Sequence, residues 1–229
     1  MIEIIMMFKD DKTMLLIYSL AFIVAILIAM CSHEYAHAKM AYNCGDDTAY
    51  LAGRMTLNPV AHINPLGALA FLLVGFGWAT PVPVNPVKFK EYRKGIFLTG
   101  IAGVMTNFII CFFSVGLSVL FTYFIRLLSQ ANFWYYVLLF FVVMFSLSAT
   151  INLSLCIFNL LPISPLDGFN VLQSLTKGTN RFVNFLKRYS QIILIILLIS
   201  TVFEMGMSFL TMNILTPINA FWTKIIFGV

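Results

Sequence analysis

The sequence predicts an all-α membrane protein: a bundle of four to five transmembrane helices with a re-entrant segment and a short membrane-associated β-strand or hairpin. Two observations carry that prediction. Hydrophobic residues make up 61% of the chain and charged residues 10%, with a mean hydropathy of +0.94, whereas soluble domains carry about 25% charged residues. The apolar residues are also gathered into runs that approach the length needed to cross about 30 Å of hydrocarbon. A chain of 229 residues has room for one such bundle and none for an added soluble domain of ordinary size, so residues 1–229 are expected to form a single domain.

The runs are Thr13 to Met40, Leu66 to Trp78, Ile96 to Ile125, Phe133 to Leu161 and Gln191 to Leu210. The first lacks the small residue expected before a processing site at Ile28-Ala29-Met30-Cys31, and reads as a retained span rather than a signal peptide. The second has 13 residues, which rise only about 20 Å as a helix. Gly67, Gly75 and Gly77 also interrupt it, so a re-entrant hairpin or half-helix fits it better than a span. The other four are long enough to cross. Between them, Tyr50 to Pro59 alternates loosely, ends in turn residues and reads as a short strand. Val82-Pro83-Val84-Asn85-Pro86 is extended by its prolines, which suit a sheet edge and exclude a central strand.

The net charge is +5, but in such a chain the placement of Lys and Arg says more than their total. Lys39, Arg54, Lys88, Lys90, Arg93, Lys94, Lys177, Arg181, Lys187 and Arg188 all fall in three connections, which leaves Lys9, Lys12, Arg126 and Lys224 for the opposite face. The positive-inside bias then places the three connections in the cytoplasm and both termini outside, provided Leu66 to Trp78 re-enters rather than spans. Lipid is the expected surrounding and nucleic acid is not an expected partner. Cys31, Cys111 and Cys156 lie in apolar runs and Cys44 in a polar stretch, without a Cys-x-x-Cys pair, as packing residues do.

His33-Glu34-Tyr35-Ala36-His37 closes the first run. Ionisable groups in a lipid-embedded helix are disfavoured and mark functional sites. Four residues apart on a helix, His33 and His37 share a face and can reach one ion, while Glu34 is placed to take a proton from the water as general base. Zn2+ suits two imidazoles and a carboxylate with one open tetrahedral position. A polar cluster joining neighbouring helices, or a proton or ion pathway, is the competing reading. For a third ligand the chain offers Asp167, the only acid between Glu91 and Glu204. It follows Pro162 and Pro165, which must unwind or kink the helix, and precedes Gly168. A lone Asp after a helix otherwise caps it or sits in a turn.

These residues resemble the site-2 proteases, zinc metalloproteases that cut substrates within the membrane, over most of the chain. The His-Glu-x-x-His of that family matches His33, Glu34 and His37, and its Asn-x-x-Pro-x-x-Pro-Leu-Asp-Gly matches Asn159, Pro162, Pro165, Leu166, Asp167 and Gly168. Leu57 to Gly67 and Gly77 to Pro86 look like the compact prokaryotic branch without PDZ or CBS domains. Gly103-Val104-Met105-Thr106-Asn107 sits where that branch often has Gly-Pro-x-x-Asn, with Val104 in place of the proline. The resemblance implies one zinc per chain held by His33, His37 and Asp167, with Glu34 as base and acid. It also implies that Asn159 binds the scissile carbonyl or its oxyanion, where an Asn in this setting otherwise bonds a neighbouring helix.

The implied reaction is hydrolysis of peptide bonds within or near transmembrane segments of a membrane-protein substrate, at a site toward the cytoplasmic side of the cell membrane. The substrate helix must unwind, and the edge at Tyr50 to Asn58 is a candidate to receive it by strand addition. His62 has a structural or supporting role or is an alternative ligand, and Lys39 reads as an interface anchor. A metal-ion or proton transporter and a non-catalytic membrane scaffold are the rival functions. The first needs a polar path on both sides of the membrane, and the spans hold almost no ionisable residue beyond the two motifs. The sequence leaves substrate identity and oligomeric state open.

Overall fold

A computed structural model of the chain describes residues 8, 10–67, 79–128, 132–176 and 180–228. Helix α1, Lys12–Asn43, begins at Asp11, whose carboxylate accepts the Met14 N–H at 3.0 Å, as an N-cap does. Its buried face repeats every four residues through Ile17, Ala21, Ala25 and Ala29, then His33, His37 and Ala41. The small residues on this ridge let neighbouring helices approach closely, the packing that lipid-embedded helices rely on where no hydrophobic drive separates protein from lipid. The histidines continue the same ridge into the bundle.

After α1 come a four-residue helix α2, Thr48–Leu51, and two 3-10 turns, Pro59–Ala61 and Pro86–Lys88, each started by an Asn that caps a backbone N–H before a proline-led turn. Helix α3, Tyr92–Arg126, and helix α4, Phe133–Asn159, pack on α1 and on each other. The α3 face they share is built from Gly100, Gly103, Asn107, Cys111, Ser114 and Ser118. Hydroxyls tie α3 to α4 through Ser114 to Ser148 at 3.1 Å and Ser118 to Ser146 at 2.7 Å. Pro162 and Pro165 prevent α4 from continuing, and α5, Asp167–Leu175, folds back against α3. Gly168 makes that reversal possible, because a side chain there would run into the backbone of Leu160 and Leu161.

The final helices, α6, Arg181–Leu198, and α7, Thr201–Phe227, meet at a 78° bend. Thus, among the described residues, α1, α3 and α4 are long and apolar enough to cross a membrane, and the bent pair α6 and α7 makes a fourth crossing if the two count as one span. The apolar run from Gln191 to Leu210, long enough to cross on its own, is cut at Ile199 and Ser200. Ser200 caps a new helix by accepting the Phe203 N–H, which turns a continuous hydrophobic stretch into two elements. Trp222 donates its indole N–H to the Phe112 carbonyl of α3 at 2.9 Å, and Phe227 packs on Tyr123 and under Arg126. Helix α7 therefore runs alongside α3 in the same direction.

The strand expected from Tyr50 to Pro59 is not formed. Tyr50 and Leu51 belong to α2, and Gly53 adopts φ +67°, a left-handed turn that interrupts regular extended backbone. Among the described residues the one β contact is an isolated antiparallel bridge between Ile63 and Ala79. The segment Leu66 to Trp78 lies outside the described residues apart from Leu66 and Gly67, but its flanks do not. Thr80 donates to the His62 carbonyl at 2.8 Å and Lys90 to the Cys44 carbonyl at 3.0 Å. The chain leaves and rejoins the bundle at one end, so α1 and α3 are antiparallel spans.

Candidate metal centre

Where α1 nears its C-terminus it meets the first third of α3, the end of α4 and the start of α5, and each helix contributes to one cleft of about 440 Å3. Nε2 of His33 and Nε2 of His37 lie 2.9 Å apart, and Oδ2 of Asp167 is 3.2 Å from the first and 3.1 Å from the second. An ion that holds three such atoms at 2.0–2.1 Å in tetrahedral geometry spaces them by about 3.3 Å. The triangle already present is nearly that size. Oδ2 of Asp167 is buried and receives no hydrogen bond, so a cation is the partner its charge lacks. The donor set fits zinc, and His33, His37 and Asp167 could hold one ion.

Helix α3 sets the two rings. A carbonyl only accepts, so the 2.7 Å contact between Nδ1 of His37 and the Thr99 carbonyl fixes the proton on Nδ1 and leaves Nε2 bare toward the triangle. The other ring has Asn107, fully buried, with its amide 3.2 Å from Nδ1 of His33. As oriented, the Nδ2 end faces the ring while Oδ1 is buried without a partner. The two ends of the amide are nearly isosteric. Turned over, Asn107 accepts from Nδ1–H of His33, and its orphaned oxygen is satisfied in the same step that frees Nε2 of His33 for an ion. Gly103 completes the backing. A methyl group there would strike Nε2 of His37 and sit 2.7 Å from Cε1 of His33.

Glu34 faces the cleft from the same turn as His33, and its Oε2 accepts the Val82 N–H at 2.8 Å. Asn159 also lines the cleft, with Nδ2 donating to the Leu155 carbonyl of its own helix at 3.0 Å. His62 is not brought to the site. It is fully buried, its Nε2 donates to the Thr56 carbonyl at 2.8 Å, and it braces the loop rather than competing as a ligand. Lys39 is exposed beside Tyr42, with Nζ 5.6 Å from the ring centre. Farther out, a hydrogen bond from the Lys88 ammonium holds the Asp47 carboxyl below its ordinary range. Sequence reasoning did not find Thr99 or the contact of Val82 with Glu34, because both act through backbone groups that no side-chain pattern encodes.

The chain is 38% identical over 180 residues to "Putative zinc metalloprotease YwhC" of Bacillus subtilis (strain 168), which covers 78% of this chain and 80% of that protein. It is 26% identical over 180 residues to "Putative zinc metalloprotease Rip2" of Mycolicibacterium smegmatis, covering 76% of this chain and 64% of the relative. No family model matches the chain, and no solved structure matches it. Two paired histidines and an aspartate in a membrane-type helical bundle agree with those names, and at that identity and coverage the chain belongs to this family of compact, site-2-protease-like membrane zinc metalloproteases.

Proposed function

We propose that the chain is an intramembrane zinc endopeptidase of the site-2 type, which hydrolyses peptide bonds within or near the transmembrane segments of membrane-protein substrates. The observation that carries this reading is the convergence of His33, His37 and Asp167 on one point, with Glu34 beside them, in a cleft at one end of a helical bundle. His33, His37 and Asp167 would hold zinc, which would supply a Lewis acid and lower the pKa of a water toward about 7. Glu34 removes the proton from the attacking water and delivers it to the leaving amine. Asn159 spends one N–H of its amide on the Leu155 carbonyl and has the second to offer the developing oxyanion. A helical substrate presents no free carbonyl, so it enters unwound and lies along the cleft.

Among the described residues, Lys39, Arg54, Lys88, Lys90, Arg93, Lys94, Arg181, Lys187 and Arg188 belong to the connections at the cleft end of the bundle, and Lys12, Arg126 and Lys224 to the other end. That asymmetry supports a cytoplasmic cleft in the cell membrane, with water and the substrate's loosened end arriving from that side. The decisive experiment is reconstitution with a single-span substrate, comparing the parent with Glu34→Gln and Asp167→Ala. Glu34→Gln is expected to keep its zinc and lose cleavage by at least a thousandfold, while Asp167→Ala loses both. Cleavage by Glu34→Gln at the parental rate rejects the base, and full zinc in Asp167→Ala rejects the third ligand.

A further inference from the structure

One wall of the cleft is the extended segment 79–86, through Pro81, Val82, Val84 and Pro86. Apart from the bridge at Ala79 it has no strand partner among the described residues. Side chains and one loop hold it instead. Thr80 N–H donates to the His62 carbonyl, and Arg54 Nη2 donates to the carbonyls of Thr80 and Pro81. Val82 N–H reaches Glu34, and Asn85 N–H reaches Oδ2 of Asp46 at 2.6 Å.

Asp46 is completely buried and has no ion-pair partner among the described residues. An uncompensated buried carboxylate is costly. Three donors offset the cost here: its Oδ1 takes both the N–H and the hydroxyl of Thr48, and its Oδ2 takes Asn85 N–H. An asparagine would turn one acceptor into a donor and lose one end of the arrangement, so the site calls for an acid.

We propose that Asp46 and Arg54 are positioning residues for the peptidase reaction, acting through Val82. They fasten the segment on both sides of Val82 so that its N–H stays on Oε2 of Glu34, leaving Oε1 for the proton of the attacking water. Val82 sits between Pro81 and Pro83, whose fixed φ angles make the segment stiff. A displacement at either anchor is therefore passed on to Val82 rather than absorbed. The inference rests on Glu34 being the base.

The test is a kinetic cycle on the full-length protein, reconstituted with zinc and a single-span substrate. Val82→Pro deletes the N–H while keeping the backbone extended, Asp46→Asn releases one anchor, and Arg54→Gln releases the other. Each is expected to lower kcat about tenfold, the consequence of losing one hydrogen bond to a charged group, with KM and zinc content unchanged. The double variant Asp46→Asn/Val82→Pro should be no slower than either single variant, because both remove the same contact. Arg54→Lys, which restores a donor, should recover most of the loss, and the Arg54 variants carry the test if Asp46→Asn does not fold. Losses that multiply in the double variant, loss of zinc in the Arg54 variants, or parental kcat in the singles would overturn the proposal. If Glu34→Gln is inactive while Val82→Pro, Asp46→Asn and Arg54→Gln match the parent, the clamp alone is wrong. If Glu34→Gln is fully active, the underlying reading has failed.

Discussion

At the scale of single residues, Asn107 shows how much of a metal site lies outside its ligands. It is fully buried on α3, 3.2 Å from the ring of His33, and one end of its amide is left without a partner. Groups that fix the tautomer of a ligating imidazole are typically worth 10–100-fold in metal affinity. Asn107→Leu is therefore expected to weaken zinc binding by that factor in a competition titration, whereas Asn107→Asp, which keeps an acceptor for Nδ1–H of His33, should stay close to the parent. The two histidines and Asp167 were legible because helical spacing and proline breaks leave marks in a sequence. Asn107 was visible only as part of a resembling motif. Thr99 was invisible, since what it offers is a carbonyl that any residue owns.

Between helices, the fit of α7 against α3 depends on one absent side chain. Trp222 lies over Gly116, where a Cβ would come within 2.7 Å of the indole, and its N–H holds the Phe112 carbonyl. Gly116→Ala is expected to push the indole aside and lower stability by about 1–3 kcal/mol, as overpacking does, read as a drop in thermal midpoint in detergent with zinc content unchanged. The apolar runs gave the existence of α1, α3 and α4 correctly, because hydrophobicity sustained over a membrane's thickness is a long-range signal. They misplaced the last span. A single serine that caps a backbone N–H interrupts a helix without lowering the hydrophobicity around it, so the bend between α6 and α7 left no trace in the composition. The missing strand has a similar cause: loose alternation over Tyr50 to Pro59 was outweighed by the turn at Gly53.

For the molecule as a whole, the joined ends of the 44–90 segment fix how many times the chain crosses before α3. Since Lys90 N–H meets the Cys44 carbonyl, the first two basic connections lie at one end of the bundle. A cysteine replacing Lys90 in a Cys44→Ser background is expected to resist a membrane-impermeant maleimide in intact cells and to react in inverted vesicles, while one replacing Arg126 does the opposite. Labelling of both in intact cells would contradict the single-sided arrangement. This level of organisation was legible only conditionally, because charge counting needed to know whether one short glycine-broken run crossed or returned.

The three side chains that could hold a metal ion stand at positions 33, 37 and 167, far apart in synthesis. A nascent chain that has delivered only its first two long helices to the bilayer owns both imidazoles and Glu34, yet has nothing to complete the triangle. On the proposed reading the cage closes only once the start of α5 has emerged, so a ribosome-bound precursor passes most of its synthesis without a complete metal site.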